Sequence, residues 1–265
     1  MFSFCKVQWF LLATWWLNYK LCMKKLFLLF LIPLFIYSCS KKESSPLVTP
    51  PVITKLSGCD SVRLGLLKST KDLLRVGCNS SITIGTQQWI IVNLDIETYR
   101  NGDTIPQVAD RVSWSKLTTG AWCYYDNNPS NGTKYGKLYN WYAVNDSRGL
   151  APKGWHIPSD AELTTLSTFL GGDSLAGGKL KEMGTLNWQS PNSNATNLSG
   201  FSAIPGGVRD GSGIFLSIGN DGAWWSATQD KSNFAWVRFL TYNNANLYRF
   251  SNSKTNGFSV RCLKD

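Results

Sequence analysis

Histidine is nearly absent from this chain: His156 is the only one in 265 residues. That excludes any metal centre built on several histidines. Acidic residues are also scarce, 17 Asp+Glu against 27 Lys+Arg, and none precedes Glu43. No run of Lys or Arg is longer than two, so the basic excess reads as a scattered, solvated surface. Nucleic acid is therefore not expected as a partner. No CxxC pair occurs, which argues against a zinc site. No Gly-x-Ser-x-Gly elbow occurs either, so the usual signature of a serine hydrolase is missing. Charged residues make up only 17% and hydrophobic ones 43%, which excludes wholesale disorder.

What is abundant is aromatic. Phe, Trp and Tyr reach 13%, with twelve Trp, a composition suited to short strands rather than helix bundles. The amino terminus is distinct. Lys24 and Lys25 precede an apolar run from Leu26 to Tyr37, and Ser38-Cys39 follows. A basic start, a short apolar run and a small residue before the cut form a secretory signal. Twelve residues fall short of the ~20 that span a bilayer. Ile36-Tyr37-Ser38-Cys39 resembles a bacterial lipobox. The resemblance implies lipidation at Cys39, with acyl chains anchoring the protein to a membrane. Residues 1–22 then read as an extension upstream of a start at Met23, and 23–38 as the signal. Removing residues 1–38 takes four lysines away and leaves a net charge of about +6.

Residues 39–55 form a tether stiffened by Pro46, Pro50 and Pro51. Residues 56–79 form a small unit bounded by Cys59 and Cys78, and 80–265 a larger domain. Four cysteines remain after Cys39 is lipidated and the leader is cut: Cys59, Cys78, Cys123 and Cys262. An even number after export suggests two disulfides, with three connectivities open. Pairing Cys59 with Cys78 and Cys123 with Cys262 keeps each bond inside one candidate domain. The first bond requires a hairpin, because a disulfide spans only about 4.4–6.8 Å between Cα atoms.

Beyond residue 80, short apolar-aromatic runs alternate with Gly, Asn and Asp. Expected strands are 82–84, 88–94, 122–125, 138–144, 201–204, 224–227, 235–242, 247–250 and 258–263. In the last, Phe258, Val260 and Cys262 share the inward face. One helix is expected from Ser159-Asp160-Ala161-Glu162, a capping box, with an apolar stripe of Leu163, Leu166, Phe169 and Leu170 ended by Gly171. A second, weaker one is expected over 175–183, diluted by Gly177 and Gly178. These elements give an α+β domain with long loops.

Several motifs follow in a recognisable order. They include Ile84-Gly85-Thr86-Gln87-Gln88-Trp89, Trp122-Cys123-Tyr124-Tyr125, Tyr135-Gly136-Lys137-Leu138-Tyr139-Asn140-Trp141, Gly154-Trp155-His156, Trp225-Ser226-Ala227-Thr228 and Gly257-Phe258-Ser259-Val260-Arg261-Cys262. Together they resemble the Fibrobacter succinogenes major paralogous domain, over about residues 80–265. That resemblance implies an exported, often lipidated bacterial protein, at the outer membrane of a Gram-negative cell. More distantly, the helix start and the ending resemble the C-type-lectin-like fold and its formylglycine-generating enzyme branch. The lectin branch implies sugar or protein ligands. Its calcium-site signatures are missing here, as is the cysteine pair of the enzyme branch.

Trp224, Trp225, Trp236 and Tyr242, with Tyr248 nearby, form the candidate ligand surface, since exposed rings stack on sugars. Packing in the core is the competing role for each of them. His156 has no partner that spacing can name, and reads as structural. No catalytic residue, metal ligand or cofactor is assigned. The expected function is a lipid-anchored binding or adhesion module for a glycan or a surface protein. The rivals are an enzyme acting on envelope polymers and a purely structural surface protein. An exposed aromatic strip without titratable partners would favour binding. A poised His156 or paired carboxylates would favour the enzyme.

Overall fold

The computed structural model describes residues 81–265. The expectations for lipidation at Cys39, for the Cys59–Cys78 bond and for the boundaries before residue 80 lie outside the described residues. Strands β1 (Ser81–Ile84) and β2 (Gln87–Ile90) open the domain as an antiparallel hairpin, with Ile84 opposite Gln87. The last strand, β11 (Leu263–Lys264), pairs with β2 and with β5 (Trp155–His156), so both ends of the domain share one four-stranded sheet. A second sheet holds β8 (Asp221–Lys231), β9 (Phe234–Thr241) and β10 (Tyr248–Ser253) in the order β10-β9-β8. Two two-stranded pairs complete the set: β3 (Trp122–Cys123) with β4 (Leu138–Tyr139), and β6 (Val208–Arg209) with β7 (Phe215–Leu216).

Short helices sit on caps the sequence supplies. Asp110 accepts from Ser113 N at the start of α1 (Arg111–Ser115), and Asn128 caps α2 (Pro129–Tyr135) with Pro129 in its first turn. Asn140 caps α3 (Trp141–Val144), so the strand expected over 138–144 ends after two residues and turns into helix. Ser159 and Glu162 form the expected capping box of α4 (Asp160–Phe169). Leu163, Leu166 and Leu170 are buried as the stripe requires, but Phe169 is 62% exposed, its ring lying over Gly85. The second helix, α5 (Asp173–Leu180), begins two residues before the expected start, and it ends earlier than expected because Lys181 leaves it in extended conformation to bridge Ala203. Residues 201–204 form no strand beyond that bridge, and 258–263 is largely irregular.

The three-stranded sheet separates two apolar clusters, and strand alternation assigns its residues. Trp225, Ala235 and Val237 face the larger cluster, which also holds Phe258, Val260 and Cys262. Trp224 and Leu240 face the cluster under α4 and α5. The same alternation overturns one expectation. Within β3, Trp122 points into the cluster of Cys262, and so Cys123 points the other way, into a third cluster with Trp114 and Tyr125. Cys123 and Cys262 are free, buried thiols and form no disulfide. Burial pushes both up to about 12, which leaves them inert.

Candidate functional site

Cations inside the domain hold its loops in place of that bond. Arg261 is buried and donates from Nε to Asn93 Oδ1 at 3.0 Å, from Nη2 to Ser202 O at 3.0 Å, and from Nη1 to Phe201 O. Asn93 in turn accepts from Trp224 Nε1 at 2.9 Å and donates to Tyr135 O at 2.8 Å. Arg209 reaches Val108 O and Ala109 O at 2.7 and 2.8 Å, between the rings of Trp114 and Phe215. Lys137 pairs with Asp95 beneath Trp122. Backbone carbonyls of irregular segments need donors when buried, and these side chains supply them. Trp89, Trp122, Tyr139, Trp141, Trp155, Trp225 and Arg261 are all buried. The motifs that carry the family resemblance therefore build the scaffold.

The aromatic candidates separate accordingly. Trp225 is fully buried and donates to Tyr139 O at 2.8 Å, and Trp224 is 5% exposed and tied to Asn93, so neither can face a ligand. Trp236 is half-buried, but the Arg249 guanidinium lies 3.3 Å from its ring centroid. Arg249 is held there by hydrogen bonds to Asp160, from Nε to Oδ1 at 3.1 Å and to Oδ2 at 3.0 Å, and from Nη2 to Oδ2 at 2.8 Å. Tyr242 is half-buried and packs against the cluster under α5. Of the four, burial takes Trp224 and Trp225 out of reach of a ligand, and Arg249 takes up ring surface of Trp236.

A different set of rings comes together at the surface. Tyr248 opposes Phe239 across β10 and β9, and Phe250 lies two residues on, so all three share one face. Tyr248 and Phe250 are nearly parallel, 10° apart with centroids at 5.6 Å, and Phe239 meets Phe250 edge-on at 6.1 Å. Phe250 is 45% exposed, while Phe239 packs inward against the larger cluster. β10 is the edge strand of its sheet, which leaves this strip at the margin of the domain. Sequence reading placed Phe239 and Phe250 in strands without marking them as ligand contacts. Their signal was register: rings two apart on one strand, opposite a third on its neighbour.

The turn between β9 and β10 borders the strip and is fixed from below. Lys181 is fully buried, and its Nζ donates to Asn244 O at 2.8 Å, Ser193 O at 3.0 Å and Thr241 O at 3.1 Å. Burial alone lowers its pKa to about 8. Gly178 N donates to Ala245 O and Leu247 N to Asp173 O. A Cβ at Gly177 would stand 2.4 Å from Asn246 O, which accounts for the glycines that dilute α5. On this base, Asn244 Nδ2 and Asn246 Nδ2 each donate to the Tyr248 hydroxyl at 3.1 Å.

His156 sits elsewhere, on β5, between two carboxylates. Its Nε2 is 3.0 Å from Glu162 Oε1 and its Nδ1 is 2.9 Å from Asp265 Oδ1. Burial works against its charge, but the hydrogen bonds to Asp265 and Glu162 outweigh it and raise the pKa above 6.5. Glu162 is lowered despite its own burial, because Ser159 and His156 donate to it. With both ring nitrogens engaged, His156 bridges the capping box to Asp265. Among the described residues, no group of three or more His, Cys, Asp or Glu side chains is placed so that it could hold a metal ion.

The family model described as the Fibrobacter succinogenes major domain matches residues 82–264. No curated protein and no solved structure was found to match the chain. The match covers more than half of the sequence, and its span begins at β1 and ends in β11, the two strands that close one sheet. The chain belongs to the Fibrobacter succinogenes major domain family.

Proposed function

We propose that this protein is an exported lipoprotein, tethered through Cys39 at the outer membrane, whose C-type-lectin-like domain binds glycan at the strip of Phe239, Tyr248 and Phe250. The observation that carries the reading is the near-parallel Tyr248–Phe250 pair, flanked by Phe239 and two asparagine amides. Rings with neighbouring amides match a sugar, which has apolar C–H faces and hydroxyl edges. The strip is small. One or two stacked rings at about 0.5–1.5 kcal/mol each and a few hydrogen bonds at about 1 kcal/mol each support a Kd of roughly 0.1–1 mM. Many anchored copies on one membrane would raise the avidity well above that single-site value.

The test is affinity electrophoresis of the soluble chain, residues 44–265, through gels holding a panel of neutral polysaccharides. Retardation by at least one polysaccharide, lost in Phe250→Ala with the fold intact by circular dichroism, is the expected result. Retardation unchanged by Phe250→Ala removes the strip as the site. The anchor is tested separately: Cys39→Ser should move the protein from the membrane fraction to the soluble fraction.

A further inference from the structure

Lys137 and Asp95 differ in chemistry from the other buried cations. Lys181 and Lys254 donate to backbone carbonyls and to the Gln229 amide, and Arg209 and Arg261 carry guanidinium groups. Of these side chains, Lys137 alone brings a primary amine against a carboxylate. Its Nζ is in direct contact with Asp95 Oδ1 and lies 3.4 Å from the backbone oxygen of the same residue. The Lys137 side chain is fully buried, and that of Asp95 is 6% exposed. Rings close over the amine, with the Trp122 centroid 4.3 Å and the Tyr124 centroid 4.8 Å from Nζ. The Tyr124 hydroxyl accepts from Nζ at 3.3 Å. Backbone pairing holds the two residues in register, since Lys137 N donates to Leu94 O at 3.1 Å. Two charges shut away from water have each lost their hydration, which makes the ionised pair costly to keep. A pair aligned in this way reacts as though one partner were present at roughly 10⁵–10⁸ M. Both facts favour condensation, which removes the two charges and returns one water to solvent.

We propose that Lys137 and Asp95 form an intramolecular amide bond, Nζ to Cγ, inside the folded domain. The ammonium passes one proton to the Asp95 carboxylate, which leaves a neutral amine beside a carboxylic acid. The nitrogen lone pair attacks Cγ and makes the C–N bond. The nitrogen then gives up a second proton, the hydroxyl on Cγ takes it, and the C–O bond breaks to release water. Tyr124 is the catalytic residue for that transfer, since its hydroxyl touches the reacting nitrogen and can both accept and donate a proton. An ammonium and a carboxylate become an amide and one water, so no oxidant, reductant or cofactor is needed. The bond ties the segment after β2 to the start of β4, across 42 residues of chain. It closes the domain covalently, a role that the free thiols of Cys123 and Cys262 do not fill.

The experiment is peptide mapping of the full-length protein by mass spectrometry. The folded protein is purified, then denatured, reduced, alkylated and digested with trypsin, which cleaves after a lysine only where its Nζ is free. The expected product joins peptide 76–100 to peptide 135–148, uncut after Lys137 and lighter than the two peptides together by one water. Fragmentation should place the link at Asp95 and Lys137. Free peptide 76–100 together with cleavage after Lys137, from protein that was folded by circular dichroism, overturns the proposal and leaves a plain ion pair. Lys137→Arg keeps the charge but has no primary amine, so the linked product should vanish. A link that survives in that variant overturns the assignment to Lys137. Tyr124→Phe keeps the ring and removes the hydroxyl. After a pulse of labelled synthesis, it should slow the appearance of the linked product by roughly tenfold or more. An unchanged rate overturns the role of Tyr124 as the proton carrier.

Discussion

Replacing Arg261 with alanine should be among the most damaging single changes in this domain. The side chain is 2% exposed and donates to Phe201 O, Ser202 O and Asn93 Oδ1, with its guanidinium 4.3 Å from the Phe201 ring centroid. Asn93 Oδ1 keeps Trp224 as a donor, but the two carbonyls lose a buried partner. Each orphaned acceptor costs about 1–3 kcal/mol. The emptied volume adds to that cost, and removal of a poorly solvated charge offsets part of it. A net loss of about 4 kcal/mol follows, a large share of the ~5–15 kcal/mol that holds a domain folded. Urea unfolding followed by tryptophan fluorescence measures it. With a slope of about 2 kcal/mol/M, the midpoint should fall by about 2 M. Arg261→Met, which refills the space but not the hydrogen bonds, should fall by about half as much. A midpoint shift under 0.5 M for the alanine variant would refute the view that internal cations hold these loops.

Other expectations follow from the same contacts. Iodoacetamide labelling mapped by peptide mass spectrometry should find Cys123 and Cys262 as unmodified thiols in the folded protein, labelled only after denaturation; a linked peptide pair would contradict their placement in separate clusters. Gly177→Ala, worth about 1 kcal/mol of stabilisation in an open helix, should instead destabilise by about 1–2 kcal/mol, because the new methyl meets Asn246 O and Ala245 O. Thermal melting reads the sign, and a rise in Tm would show that the turn yields freely. His156→Gln should cost stability most at low pH. The pKa of His156 is raised on folding, so its contribution is fully present below its unfolded value of 6.5 and is lost as pH rises through the folded value. The ring is half-exposed, so the effect at pH 5.5 should be no more than about 1 kcal/mol, and equal losses at pH 5.5 and pH 9 would count against it.

The parts legible in the sequence were those set by local rules. The Ser159–Glu162 capping box, the alternation of Phe258, Val260 and Cys262, and strands β8 to β10 all depend on neighbours a few residues apart. What escaped depended on distant partners. Cys123 and Cys262 look pairable until a two-residue strand turns one of them away. Asn140 reads as part of a strand until its side chain caps α3. Trp236 looks available until Arg249, anchored by Asp160 from another element, covers its ring. Phe239, Tyr248 and Phe250 become one surface only once the β9–β10 register is known. The buried cations were the least legible, since nothing in a Lys or Arg codon position announces three carbonyl acceptors far along the chain.

The central claim is that ligand contacts this domain at the margin of the β9–β10 hairpin. Chemical-shift mapping on isotope-labelled protein, titrated with whichever polysaccharide fragment binds, tests it most directly. Perturbations centred on Phe239, Asn244, Asn246, Tyr248 and Phe250, with His156 and its carboxylates unmoved, are the predicted result. Perturbations centred on His156, Glu162 and Asp265, with the hairpin unmoved, would contradict it.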